Sequence, residues 1–179
     1  MDHLDDREAE RTELYRLFAS LFMQEPAMET ILTMKEMFRM ECDDTPDEVA
    51  EDFRHLFLAP QGELPSYESL YNYPLKERPG LWGRVTEEVQ NSYRAAGLVI
   101  DAEIGLAPDH LSAELLFMSY LIEHGLSGHQ KDFLETHILT WVPEYCDEIR
   151  KRAHTTFYRE VADLLKEFVT SDYEEFGHE

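Results

Sequence analysis

Asp109, His110 and Glu114 are the residues of this chain whose types and spacing could do chemistry. His110 and Glu114 stand four apart, which places them on one face of a helix, and Asp109 sits beside them directly after Pro108. An Asp/His/Glu set supplies the nitrogen and oxygen ligands that suit a divalent ion, with His124, His129 and His137 downstream as further donors. A small metal-dependent hydrolase using Asp109, His110 and Glu114 is the enzyme this pattern allows. A plainer reading carries more weight. Asp109 after a proline is a good N-cap for the helix that follows, accepting amide hydrogens from its first turn. Glu114 then adds negative charge near the positive helix end, and His110 is simply a first-turn residue.

Other enzymatic signatures are missing. The chain has no G-x-x-x-x-G-K-[ST] phosphate loop and no G-x-G-x-x-G turn. It has no H-E-x-x-H or C-x-x-C pair, and no serine in a nucleophile elbow.

A second unusual segment lies forty residues upstream. Phe57-Leu58-Ala59-Pro60 runs into Pro65-Ser66-Tyr67-Glu68-Ser69-Leu70-Tyr71, packing polar and aromatic residues where a plain connector would carry Gly and Ser. Residues 58–80 are rich in proline and hold no sustained apolar period, which makes them one long loop with at most a short helical turn. Structureless stretches of that length inside a compact domain are uncommon and usually functional. Tyr67, Tyr71, Tyr73 and Trp82 flank it. Each alone is by default a core plug. Together they suit a groove for a peptide with apolar side chains, and Asp109, Glu68 and Glu63 offer carboxylates to arginine forks.

The elements that must position these residues are helices. Leu14, Leu17, Phe18, Leu21 and Phe22 form one stripe of a first helix ending before Pro26, and Ile31, Met34, Met37 and Phe38 mark a second. A third runs from about Pro46, capped by Asp44 or Thr45, with Val49, Phe53, Leu56 and Phe57 inward. Helical order returns with Leu81, Val85, Val89 and Tyr93, closed by Gly97. Leu111, Leu115, Met118, Leu121 and Ile122 define a helix that Leu116, Phe117 and Tyr120 make apolar over a wide arc, so it is central and mostly buried. Leu134, Ile138, Trp141, Tyr145 and Ile149 share a face that is kinked or broken near Pro143. Phe157, Val161, Leu164, Leu165 and Phe168 form the last helix, with Ser171 to Glu179 frayed. No strand pattern, repeat or glycine-rich linker interrupts this. The expectation is an all-α fold, a single-domain helical bundle over residues 1–179 with a long functional loop at about 58–80.

Composition narrows the partners. At 179 residues with 43% hydrophobic content, the chain can bury a full-sized core. Its 38 acidic and 16 basic residues leave a net charge of −22. That field repels nucleic acid and anionic membrane surfaces, and favours a basic peptide or protein. No apolar run is long enough to span a bilayer. The N-terminus lacks the apolar core of a signal peptide, and Cys42 and Cys146 stand in no metal spacing. A cytoplasmic protein with reduced thiols is expected.

Four segments together resemble the TorD/DmsD-like family of redox enzyme maturation chaperones. They are Phe53-Arg54-His55-Leu56-Phe57, Pro65 to Tyr71, Pro108-Asp109-His110 with its helix, and a C-terminal region with Phe133-Leu134, His137, Trp141-Val142-Pro143 and Phe157-Tyr158. The resemblance covers nearly the whole chain in the expected order. It departs where Leu106-Ala107 precede Pro108 in place of an acidic residue, and where Tyr67 and Tyr71 stand for tryptophan. It implies an all-helical, non-catalytic cytoplasmic chaperone, a monomer or domain-swapped homodimer. Such a chaperone binds the twin-arginine signal peptide and the apo form of a molybdopterin-containing oxidoreductase of anaerobic respiration. It assists cofactor insertion, prevents premature export, and carries no metal or cofactor of its own, though weak guanine-nucleotide binding is known for some members. The implied peptide-binding set is Tyr67, Glu68, Ser69, Tyr71, Trp82, Pro108, Asp109, His110 and Glu114.

Overall fold

Helix caps and apolar stripes place most of the chain. A computed structural model describes residues 5–58, 62–72, 80–99 and 107–176. Within them run α1 (Asp6–Met23), α2 (Met28–Phe38), α3 (Pro46–Phe57), α4 (Arg84–Ala95), α5 (Leu111–Glu123), α6 (Ser127–Phe133), α7 (Leu139–Arg152) and α8 (Thr156–Glu175), with no strand among the described residues. Asp5 and Glu8 close a capping box on α1, and Thr45 and Glu48 close one on α3 behind Pro46. Asp44, the other candidate cap of α3, instead accepts the Phe157 amide in the first turn of α8 at 2.8 Å.

One continuous core joins the helices. Tyr15, Phe18, Leu21 and Phe22 of α1 face Leu115, Met118, Leu121 and Ile122 of α5, all buried. The Ser112 hydroxyl of α5 donates to the Ala19 carbonyl of α1 at 2.8 Å, and α7 packs along α8. The central place expected for α5 holds, although Leu116 stays 37% exposed beside a groove.

Several expectations are corrected. The helix after the long loop begins at Arg84, because Leu81 and Trp82 stand in a turn before it. Near Pro143 there is no break: that proline lies inside α7, and the irregularity sits just upstream as a π-helical turn, Leu134–Ile138. A proline ring crowds the carbonyl four residues earlier, here Leu139, the residue on which the widened turn ends. The acidic tail is helical through Glu175, held by buried Asp172. Parts of the loop, with Tyr73, lie outside the described residues.

Candidate functional site

The two unusual sequence segments meet. Tyr67 and His110 form an antiparallel bridge: the Leu111 amide donates to the Ser66 carbonyl at 2.8 Å, and the Glu68 amide to the Asp109 carbonyl at 2.9 Å. Glu68–Leu70 then makes one 3-10 turn. The base of this clasp is tied down by Tyr145, whose hydroxyl donates to the Leu64 carbonyl at 2.9 Å and lies 2.6 Å from the Ser66 hydroxyl. Gly62 permits the tight return onto α3, because a Cβ there would meet the Leu58 amide nitrogen and the Phe57 carbonyl carbon at 2.7 Å.

Asp109 is not the cap of α5. Its Oδ2 accepts the Ser69 amide at 3.0 Å, and the N-cap is His110, whose Nδ1 accepts the Ser112 amide at 3.1 Å. Burial pushes the His110 imidazole down to about 4 against the opposing pull of Asp109. The ring is therefore neutral with its proton on Nε2, and Tyr67 meets it edge-on at 4.9 Å.

Beneath the clasp lies a buried acidic cluster. Glu68, Asp109 and Glu114 are each fully buried, and His137 joins them at 6% exposure. His137 Nδ1 donates to Glu68 Oε2 at 3.0 Å, Asn72 donates to Glu68 Oε1 at 2.7 Å, and Trp141 Nε1 donates to Glu114 Oε2 at 3.2 Å. Burial first, then the Glu68 charge, hold the Glu114 carboxyl well above the usual carboxylate range. Its Oε1 has no hydrogen-bond partner among the described residues. Folded Glu114 thus binds a proton that the unfolded chain releases above its ordinary value of 4.5, so its contribution to stability falls as pH rises from there. Glu114→Gln imitates the protonated form. Urea midpoints measured between pH 5 and 9 are expected to decline less steeply for this variant than for the natural protein, by at most about 1.4 kcal/mol per pH unit. Parallel pH profiles would mean that Glu114 is ionised in the fold.

An aromatic platform flanks the cluster. Tyr71 stacks on Trp141 at 5.5 Å and 15° and meets Tyr145 edge-on at 5.1 Å, with burial pushing its phenol up to about 12. Trp82 stands apart, 68% exposed on a left-handed backbone with φ 63°, its amide donating to the Thr86 hydroxyl at 3.1 Å. A bulky residue in that region is strained, and such strain concentrates at functional sites. Pro108 borders an apolar groove of about 390 Å³, lined by Met23, Tyr93, Leu98, Leu116, Phe117 and Tyr120, with Arg16 and Glu123 among its polar residues. The Tyr93 hydroxyl donates to the Pro108 carbonyl at 2.7 Å and fixes that wall.

Of the residues singled out from sequence, Tyr67, Glu68, Ser69, Asp109, His110 and Glu114 come together, Tyr71 lies alongside and Pro108 opens onto the groove. Trp82 remains outside them. Sequence reasoning left Trp141 and His137 out of this set. Their signal was a polar–aromatic pair four apart on an otherwise apolar helical face. Of the proposed ligands, Asp109 Oδ2 and His110 Nδ1 are taken by backbone amides and Glu114 Oε2 by an indole, while Asp109 Oδ1 and Glu114 Oε1 have no hydrogen-bond partner among the described residues. Among the described residues, the group with metal-binding geometry is a different one, Asp52, His55 and His154.

Comparison with known proteins identifies the family. The family described as nitrate reductase delta subunit matches residues 23–147. The perchlorate reductase assembly chaperone protein of Dechloromonas aromatica is 33% identical over 143 residues, 70% of this chain and 62% of that protein. The chaperone protein TorD of Psychrobacter is 27% identical over 183 residues, 95% of this chain and 80% of its own length. That of Vibrio parahaemolyticus is 29% identical over 143 residues, covering 73% and 65%. These relatives are named as chaperones and not as catalysts, which removes the hydrolase reading. No described helix is long and apolar enough to cross a membrane. With a family match over most of its length and a clasped loop on an all-helical core, the chain belongs to the TorD-like family of redox enzyme assembly chaperones.

Proposed function

We propose that this chain is a cytoplasmic chaperone for a molybdopterin-containing oxidoreductase. It binds the enzyme's twin-arginine signal peptide and apo form, assists cofactor insertion and delays export until the enzyme is complete. The observation that carries the reading is the apolar groove beside Pro108, next to the clasp, in a protein of net charge −22. A twin-arginine leader has a basic start and an apolar stretch. The charge draws the basic start in, and the apolar stretch lies along Leu116 and Phe117, where desolvation supplies most of the binding energy. Tyr67, Tyr71 and Trp82 give further aromatic contacts. Glu68, Ser69, Asp109, His110 and Glu114 act from beneath and hold the clasp in shape, with Glu68 and Asp109 adding negative potential. Direct arginine contact falls to Glu123 in the groove wall, which exchanges its ion pair with Arg16 for one with the peptide.

Calorimetry with a synthetic twin-arginine leader is expected to show binding without nucleotide. Affinity should weaken as salt rises through the screening range, and fall when both arginines become lysines, which lose the forked hydrogen bonds. Leu116→Glu should lower it about tenfold or more, since a charge in an apolar contact loses more than 1.4 kcal/mol. A panel of the host's leaders and intact precursors that all fail to bind would sink this reading.

A further inference from the structure

We propose that Asp52, His55 and His154 form a divalent transition-metal site that fastens α3 to the junction between α7 and α8. Their ligand atoms all lie within 4.8 Å of one another. Asp52 and His55 are three apart on one face of α3, while His154 stands where α7 has ended and α8 has yet to begin. The two imidazoles stack at 4.0 Å and 13°, and among the described residues neither ring nitrogen has a hydrogen-bond partner. Asp52 is held rigid. Its Oδ1 accepts the His154 amide at 3.1 Å, and its Oδ2 accepts the Thr155 amide at 2.8 Å and hydroxyl at 2.6 Å. A carboxylate has about four lone-pair positions, so Oδ1 keeps one for a cation. Bonds of this kind to a carboxylate ligand are what orient it toward a metal.

The chemistry of the set is two imidazoles and one carboxylate, which suits zinc and its neighbours over magnesium or calcium. Zinc bonds of about 2.0–2.1 Å need ligand atoms roughly 3.3 Å apart, and an imidazole binds a metal in its own plane, so the exposed His154 ring must turn out of its stack on His55 to close the site. Beside Asp52 a cleft of about 140 Å³ carries Asp44, Glu48 and Glu51, which attract a cation and leave room for water to complete its shell. The site is also well placed to stiffen the clasp. The His55 carbonyl accepts the Glu63 amide at 3.0 Å and the Leu56 carbonyl accepts the Leu64 amide at 2.7 Å, so the loop that carries Tyr67 and Glu68 is sewn onto the end of α3 beside the ligands. This departs from the metal-free protein that the sequence led us to expect, and it is independent of leader binding.

Protein stripped with a chelator should bind one zinc per chain, with a rise in melting temperature that magnesium does not produce. Cobalt should give the intense visible bands of a four-coordinate nitrogen–oxygen site. His154→Ala removes an exposed side chain and His55→Gln keeps the bulk of the ring. Each should weaken zinc binding at least as much as loss of an outer-shell partner does, about 10–100-fold, and abolish the cobalt bands, while His129→Ala changes neither. Absence of stoichiometric zinc binding overturns the proposal, and so does zinc binding that persists in both His154→Ala and His55→Gln.

Discussion

Asp172→Ala is expected to cost about 3–5 kcal/mol of folding stability, the range for breaking a buried ion pair by removing one partner. Asp172 is 4% exposed and receives Arg11 through Nε at 2.5 Å and Nη2 at 3.0 Å, and the Tyr15 hydroxyl at 2.7 Å. Gln130 takes a further hydrogen bond from the same guanidinium at 3.1 Å. The substitution leaves a guanidinium with few partners and a fully buried phenol, which burial already holds well above its ordinary pKa. Asp163→Ala is the matched control. Its ion pair with Arg150 is surface-exposed on both sides, where pairs contribute about 0–1 kcal/mol. Urea midpoints decide between them. Equal losses in the two variants would mean that the C-terminal helix is frayed at Asp172 after all.

Trp141→Ala is expected to remove a comparable amount, about 3–5 kcal/mol for a large aromatic truncated in a core. Trp141 is among the largest fully buried side chains, stacked under Tyr71 and tilted against Tyr145 at 5.0 Å. Trp141→Phe separates the two roles of the indole. It keeps most of the packing and removes only the N–H that reaches Glu114, at a cost of about 1–3 kcal/mol for the unpaired buried oxygen. The alanine variant should also lose the support beneath Tyr71, so its leader affinity should drop while that of the phenylalanine variant is largely kept. If both variants lose stability equally, the hydrogen bond to Glu114 matters more than the ring.

Helix identity was legible in the residues because its causes are local. The stripe Phe18, Leu21, Phe22 and the run Thr45-Pro46 with Glu48 declare a core-facing side and a start within a few residues of chain. The importance of the Pro65–Tyr71 and Pro108–His110 segments was legible too, since polar and aromatic residues stood where a connector needs neither. Misreadings arose where a distant group outcompeted a nearby one. Asp109 has the ideal local setting for a cap, yet the Ser69 amide forty residues away takes its carboxylate and leaves the cap to His110. Asp172 lies in a tail whose charge reads as solvated, and Arg11, 161 residues earlier, makes it part of the core. The π-helical turn at Leu134–Ile138 brings His137 to Glu68, a contact across 69 residues that no apolar period encodes. By itself, then, the sequence determined that this is an all-helical, strongly acidic protein with two specialised loops. Only the tertiary structure decided that those loops clasp each other over a buried set of acids and beside an apolar groove. Hydrogen bonds to buried carboxylates go to whichever donor the fold presents, and that donor's place in the chain leaves no trace in local spacing.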